Sequence, residues 1–90
     1  MGIAAVKIKL MPESPDVDLE AIKTKAIKII EAAEGKNPKV SEEPIAFGLK
    51  QLIAFFAIDE SKEVEAVENK LGEIEGVSSS ETIDFRRAFG

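Results

Sequence analysis

Ninety residues with a mass of 9.7 kDa leave room for a single core, so one domain over residues 1–90 is expected. The chain has no His and no Cys, which excludes Ser-His-Asp and Cys-His catalysis, imidazole or thiolate zinc sites, haem and iron–sulfur ligation, and disulfides. The net charge of −5 arises within residues 59–75, where seven acids and two Lys fall, and this local stripe reads as a solvated helix face that disfavours nonspecific binding to phosphate backbones.

The first segment, residues 3–11, has Val6, Ile8 and Leu10 on one parity and Lys7 and Lys9 on the other, the period of a strand. Pro12 and Pro15 end it. A helix is predicted over 17–34, capped by Asp16 or Asp18, with Leu19, Ile22, Ala26, Ile29, Ile30 and Ala33 on one stripe and Gly35 as its C-terminal stop. Residues 38–45 read as an edge strand, because they hold two Pro and the pair Glu42-Glu43. Ala46-Phe47-Gly48 is a turn or bulge. Residues 49–58 are apolar on both parities. Ile53, Phe55 and Ala57 face one way and Leu52, Ala54, Phe56 and Ile58 the other, as in a central strand whose second face needs a cover. A second helix is predicted over 61–73, with Ser61 as N-cap and Val64, Val67, Leu71 and Ile74 as its buried stripe. The last segment, 77–85, alternates Val77, Ser79, Glu81, Ile83 and Phe85 against polar neighbours, a half-buried strand.

Strand, helix, strand, strand, helix, strand has a known compact solution. Right-handed crossovers give a four-stranded antiparallel sheet in order 4-1-3-2 with both helices on one face, the α+β ferredoxin-like βαββαβ sandwich. Catalysis would have to come from carboxylates, Lys, Arg, Ser and Thr. Paired acids such as Glu65 and Glu68 lie on a helix face where solvent keeps them ordinary, so no enzyme is expected. Asp16, Asp18 and Glu20 lack the Gly and distal Glu of a calcium loop, and no phosphate-loop or other cofactor motif is present. An RNA-recognition reading finds no aromatic on the first strand, and only one of Phe55 and Phe56 can point outward on the third.

Pro44-Ile45-Ala46-Phe47-Gly48-Leu49-Lys50-Gln51-Leu52 resembles the Pro-Ile-Gly-Phe-Gly-Ile-Lys-Lys-Leu segment of the elongation factor 1-beta family. Ala57-Ile58-Asp59-Glu60 and Val77-Ser78-Ser79-Ser80-Glu81 also resemble that family's apolar pair before an acidic turn and its final strand. The likeness covers essentially the whole chain, and the length resembles the archaeal form, which lacks the eukaryotic N-terminal extension. It implies a guanine-nucleotide exchange factor that binds elongation factor 1-alpha, disturbs its magnesium and phosphate site, and lets GDP leave so that GTP can enter. A ferredoxin-like nucleic-acid-binding module, or a regulatory domain that dimerises through its open sheet face, is the alternative.

The resemblance also carries residue roles. Phe47 matches the motif's aromatic and is expected to contact the partner from a loop, against the competing reading of a Phe tucked into its own core. Gly48 and Lys50 match the motif's Gly and a Lys. Eukaryotic members carry a penultimate Lys that intrudes on the magnesium site. Here the chain reads Asp84-Phe85-Arg86-Arg87-Ala88-Phe89-Gly90, and Arg86 or Arg87, expected on a short mobile tail, stands in that region. No cofactor, direct nucleic-acid contact or membrane span is expected, and the protein is expected to be cytoplasmic and monomeric when free.

Overall fold

A computed structural model describes residues 2–89; Met1 and Gly90, the ends of the expected 1–90 domain, lie outside the described residues. Alternation of small and branched apolar residues with Lys makes β1 (Ile3–Pro12) a two-faced strand, and Ala4, Val6, Ile8 and Leu10 are fully buried on one side of it. Beside it runs β3 (Lys50–Asp59), burying Leu52, Ala54, Phe56 and Ile58. The edge strands are β2 (Lys36–Pro44), paired with β3, and β4 (Val77–Phe89), paired with β1. All pairings are antiparallel and the order is β2-β3-β1-β4, the expected order read from the other edge. The helices α1 (Leu19–Ala32) and α2 (Val64–Gly72) cover the buried face and add Ile22, Ala26, Ile30, Val67 and Leu71 to one continuous core. The ferredoxin-like α+β sandwich is therefore the fold.

Local chemistry moves several boundaries. Asp18 is the cap of α1, accepting the Ala21 N–H at 3.2 Å, so the helix starts later than 17. At its other end the left-handed residue is Glu34, at φ 68, and not Gly35. Glu34 N–H donates to Glu31 O at 3.0 Å and Gly35 N–H to Ile30 O at 2.8 Å, which is a Schellman closure. Gly35 is needed for space instead: a Cβ there would overlap Ile30 Cγ2 and stand 3.2 Å from Phe56 Cδ2.

Ser61 does not cap α2. Its N–H and Oγ both donate to Asp59 Oδ1, at 2.8 and 2.7 Å, and Glu63 occupies the cap position without a side-chain bond. These two bonds hold the Asp59 carboxyl below the usual range.

The largest departure is at β4, which continues past 85 to Phe89 and so carries Arg86 and Arg87 within the sheet instead of on a tail. Arg86 lies opposite Ala5 and Arg87 opposite Ala4, because the first residues of β1 offer an otherwise unpaired edge. Three register shifts along β1 and β4 also break the expected alternation. Val77 is buried, but Ile83 and Phe85 are half exposed. Ser80 and Thr82 are bonded to α2: Ser80 Oγ donates to Glu68 O at 2.7 Å, while Thr82 N–H and Oγ1 donate to Glu68 Oε2 at 2.6 and 2.8 Å. The anticipated cover for the second sheet face is not present among the described residues. Phe55 stays 41% exposed there, with Lys7 Nζ 5.7 Å from its ring centre.

Candidate partner-binding sites

At one end of the sheet, β2 and β3 are joined by a one-turn 3₁₀ segment, Ala46–Gly48. Its middle residue, Phe47, sits at φ 64, ψ 31, and Gly48 follows at φ 74. Leu49 N–H donates to Ala46 O at 3.3 Å and Ile45 N–H to Leu49 O at 2.8 Å, so the hairpin closes with type I′ geometry. That turn asks for positive φ at both central positions, which Gly48 supplies freely and a Phe does not. Phe47 nevertheless occupies the first of them and is 98% exposed. The reading of Phe47 as a core residue is thus excluded.

Lys50 stands just behind this tip, but its ammonium is engaged. Glu42 on β2 receives Lys50 Nζ at 3.3 Å and Lys23 Nζ of α1 at 2.9 Å. Hydrogen bonds from these two Lys hold the Glu42 carboxyl below its ordinary range, and the bond to Glu42 raises Lys23. The base of the tip is thereby clamped to both β3 and α1. A cleft of about 350 Å³, lined by Met11, Pro12, Pro15, Leu19 and Leu49, opens beside Gly48.

Arg86 and Arg87 are at the opposite end. From Lys50 to Ile58, at about 3.3 Å per residue, β3 spans roughly 26 Å, and the molecule is 42 Å along its long axis. Phe47, Gly48 and Lys50 therefore form one group and the two arginines another, and no single pocket unites them. Arg86 Nε is 3.2 Å from Asp84 Oδ2, and Arg87 Nε is 3.2 Å from Glu60 Oε2. The roles of Glu42 and Glu60 escape a reading along the chain. Glu42 is within reach of a diagonal cross-strand argument once the hairpin is drawn, whereas nothing local joins Glu60 to Arg87.

Architecture and exposed tip together describe a ferredoxin-like α+β sandwich that presents an aromatic at one end of its sheet and paired cations at the other. Residues 5–88 match the family model described as the EF-1 guanine nucleotide exchange domain. The chain is 47% identical over 89 residues to elongation factor 1-beta of Methanothermobacter thermautotrophicus, covering 97% of this chain and 98% of that relative. It is 44% identical over 88 residues to elongation factor 1-beta of Methanobrevibacter smithii, with 97% and 98% covered. For the Methanosarcina barkeri protein of that name the identity is 41% over 88 residues, with 97% and 99% covered. The chain belongs to the EF-1 guanine nucleotide exchange domain family, with the nucleotide-exchange role in translation elongation that this family carries.

Proposed function

We propose that the protein promotes replacement of GDP by GTP on elongation factor 1-alpha, acting as a binding partner and not as an enzyme. The observation that carries this reading is Phe47, a bulky side chain held in a left-handed backbone and almost fully in water. Each of those features is unfavourable to the isolated chain, the first by roughly 1–2 kcal/mol, so the tip makes physical sense as an anchor for another protein.

Exchange needs no covalent chemistry. GDP is held through magnesium and a phosphate cradle, and a group intruding there weakens both. Binding of the exchange factor and of nucleotide must then oppose each other reciprocally. Because the two candidate groups stand at opposite ends of the sheet, only one of them can reach that cradle. In this reading the arginine end acts there, and the Phe47 tip with Gly48 and Lys50 anchors a separate surface of the partner. The protein works in the cytoplasm as a monomer when free, without contacting nucleic acid: among the described side chains the open sheet face offers one aromatic, Phe55, where base stacking asks for more.

Release of fluorescent GDP from purified elongation factor 1-alpha, with and without this protein, tests the proposal. Faster release that rises with concentration and saturates is expected. Release at the intrinsic rate across the whole titration overturns it.

A further inference from the structure

We infer that Glu60 is a positioning residue for exchange, holding Arg87, and not Arg86, as the cation offered to the partner's nucleotide phosphates, an assignment that rests on the exchange reading above. Arg86 and Arg87 are neighbours in one strand, so their side chains leave opposite faces of the sheet. Arg86 lies opposite Ala5, on the uncovered face, and Arg87 lies opposite Ala4, which is fully buried on the helix face. One phosphate cradle can receive only one of them.

Their partners differ in kind. Arg86 pairs with Asp84, two residues back on the same strand, and its own side chain is 79% exposed. Such a surface pair fixes little. The partner of Arg87 comes from another element, the turn after β3. Glu60 N–H donates to Gly2 O at 3.0 Å, which ties that turn to the start of β1. Among the described residues, Glu60 Oε2 is the one buried side-chain oxygen or nitrogen with no hydrogen bond. Arg87 Nε stands 3.2 Å from it, in ion-pair contact but outside hydrogen-bond geometry. An anionic oxygen removed from water needs a compensating cation, and Arg87 is the one placed to supply it.

Contact through Nε leaves the terminal nitrogens of the guanidinium without a hydrogen bond among the described residues, and these form the fork that grips phosphate oxygens in a bidentate manner. The Arg87 side chain is 71% exposed, so the fork faces outward while its base is held. Glu60 thus limits where the guanidinium can be without covering the atoms that do the binding.

The test measures fluorescent GDP release from elongation factor 1-alpha at saturating exchange factor, for wild type, Arg86→Ala, Arg87→Ala, Arg87→Lys, Glu60→Gln and the Glu60→Gln/Arg87→Ala pair. All are assayed at a temperature where a thermal melt shows each variant folded. Arg86→Ala is expected to stay within about twofold of wild type, as befits an exposed pair, and Arg87→Ala to lose about tenfold or more. Glu60→Gln is expected to lose about fivefold in the saturated rate. The double variant should be no slower than Arg87→Ala, since Glu60 acts only through that side chain. Arg87→Lys, which keeps the charge but not the fork, should resemble Arg87→Ala and provides a second arm should Glu60→Gln not fold. A wild-type rate for Glu60→Gln, multiplicative losses in the double variant, or full activity of Arg87→Lys overturns the positioning role. Loss at Arg86 with none at Arg87 overturns the choice of arginine. A wild-type protein that leaves GDP release unchanged defeats the exchange reading itself.

Discussion

Replacing Phe47 with Asn separates what the hairpin tip does for the fold from what it does for a partner. The residue sits at φ 64, ψ 31, a conformation that costs a bulky L-residue roughly 1–2 kcal/mol and that Asn adopts far more readily. Asn followed by Gly is also the favoured pair for a type I′ turn, and Gly48 is already in place. Since Phe47 is 98% exposed, removing its ring forfeits almost no burial. Phe47→Asn should therefore stabilise the protein by about 1 kcal/mol, which for a domain of this size raises the melting temperature by roughly 4–8 °C. Exchange should move the other way. A Phe that fills a partner pocket is worth about 2 kcal/mol or more, so half-saturation of GDP release should need some thirtyfold more protein. Phe47→Ala serves as a control: it keeps the backbone penalty, so its melt should stay near wild type while exchange weakens. Thermal melts followed by circular dichroism, beside a GDP-release titration, give both numbers. A lower melting temperature for the Asn variant would refute the backbone argument, and an unchanged titration would remove the tip from the interface.

Further expectations concern the frame that holds the two ends. Gly35→Ala should destabilise by about 1–3 kcal/mol, because the new methyl overlaps Ile30 and crowds Phe56; an unchanged urea midpoint would mean that the end of α1 shifts freely. Glu68→Ala removes the acceptor for the Thr82 N–H and hydroxyl, costing about 1–3 kcal/mol and speeding hydrogen exchange at that amide, and a Thr82 amide as protected as before would show the bonds to be incidental. Stability should be flat from about pH 5.5 to 9.5. On the acid side the lowered carboxyls of Asp59, Glu42 and Glu34 contribute stability above their unfolded pKa and lose it as pH falls through the folded value. On the alkaline side Lys23 and Lys62, raised by Glu42 and Glu34, contribute below their unfolded pKa and lose it as pH rises through the folded value. A step in the melting temperature near pH 6.5 would contradict this, as the chain has no His.

Much of the frame is legible along the chain because its signals are local. Lys7 and Lys9 between Val6, Ile8 and Leu10 declare both the strand and its buried face, and Asp18 declares the start of α1. What stays hidden depends on distant neighbours or on competition between adjacent ones. Nothing in Arg86-Arg87-Ala88 announces a strand, and only the open edge of β1 beside Ala4 and Ala5 draws β4 that far. Ser61 is a good cap in isolation, but Asp59 captures both of its donors first. Glu34 takes the left-handed position that ends α1, and Gly35 is needed for another reason, the space that Ile30 and Phe56 leave beside it. At the candidate sites the motif resemblance locates the Phe47 tip. That its ring lies in water, that Lys50 is held by Glu42, and that Arg87 is paired with Glu60 follow only from the folded arrangement.

In the exchange reading the β2–β3 tip and the β4 arginines engage one partner from opposite ends of the sheet, so β1 and β3 act as a gauge block between two jaws. Side chains along the strands can change while the gap is preserved, since the backbone alone sets it. Excising or inserting two residues in each central strand would keep every side chain on its own face yet shift the jaws by about 6–7 Å, far beyond what a pocket on a partner tolerates. Tolerance to substitution and tolerance to changes in length are thus uncoupled in this domain. On that reading its sheet can drift in composition, while its calibre is set by the object it measures.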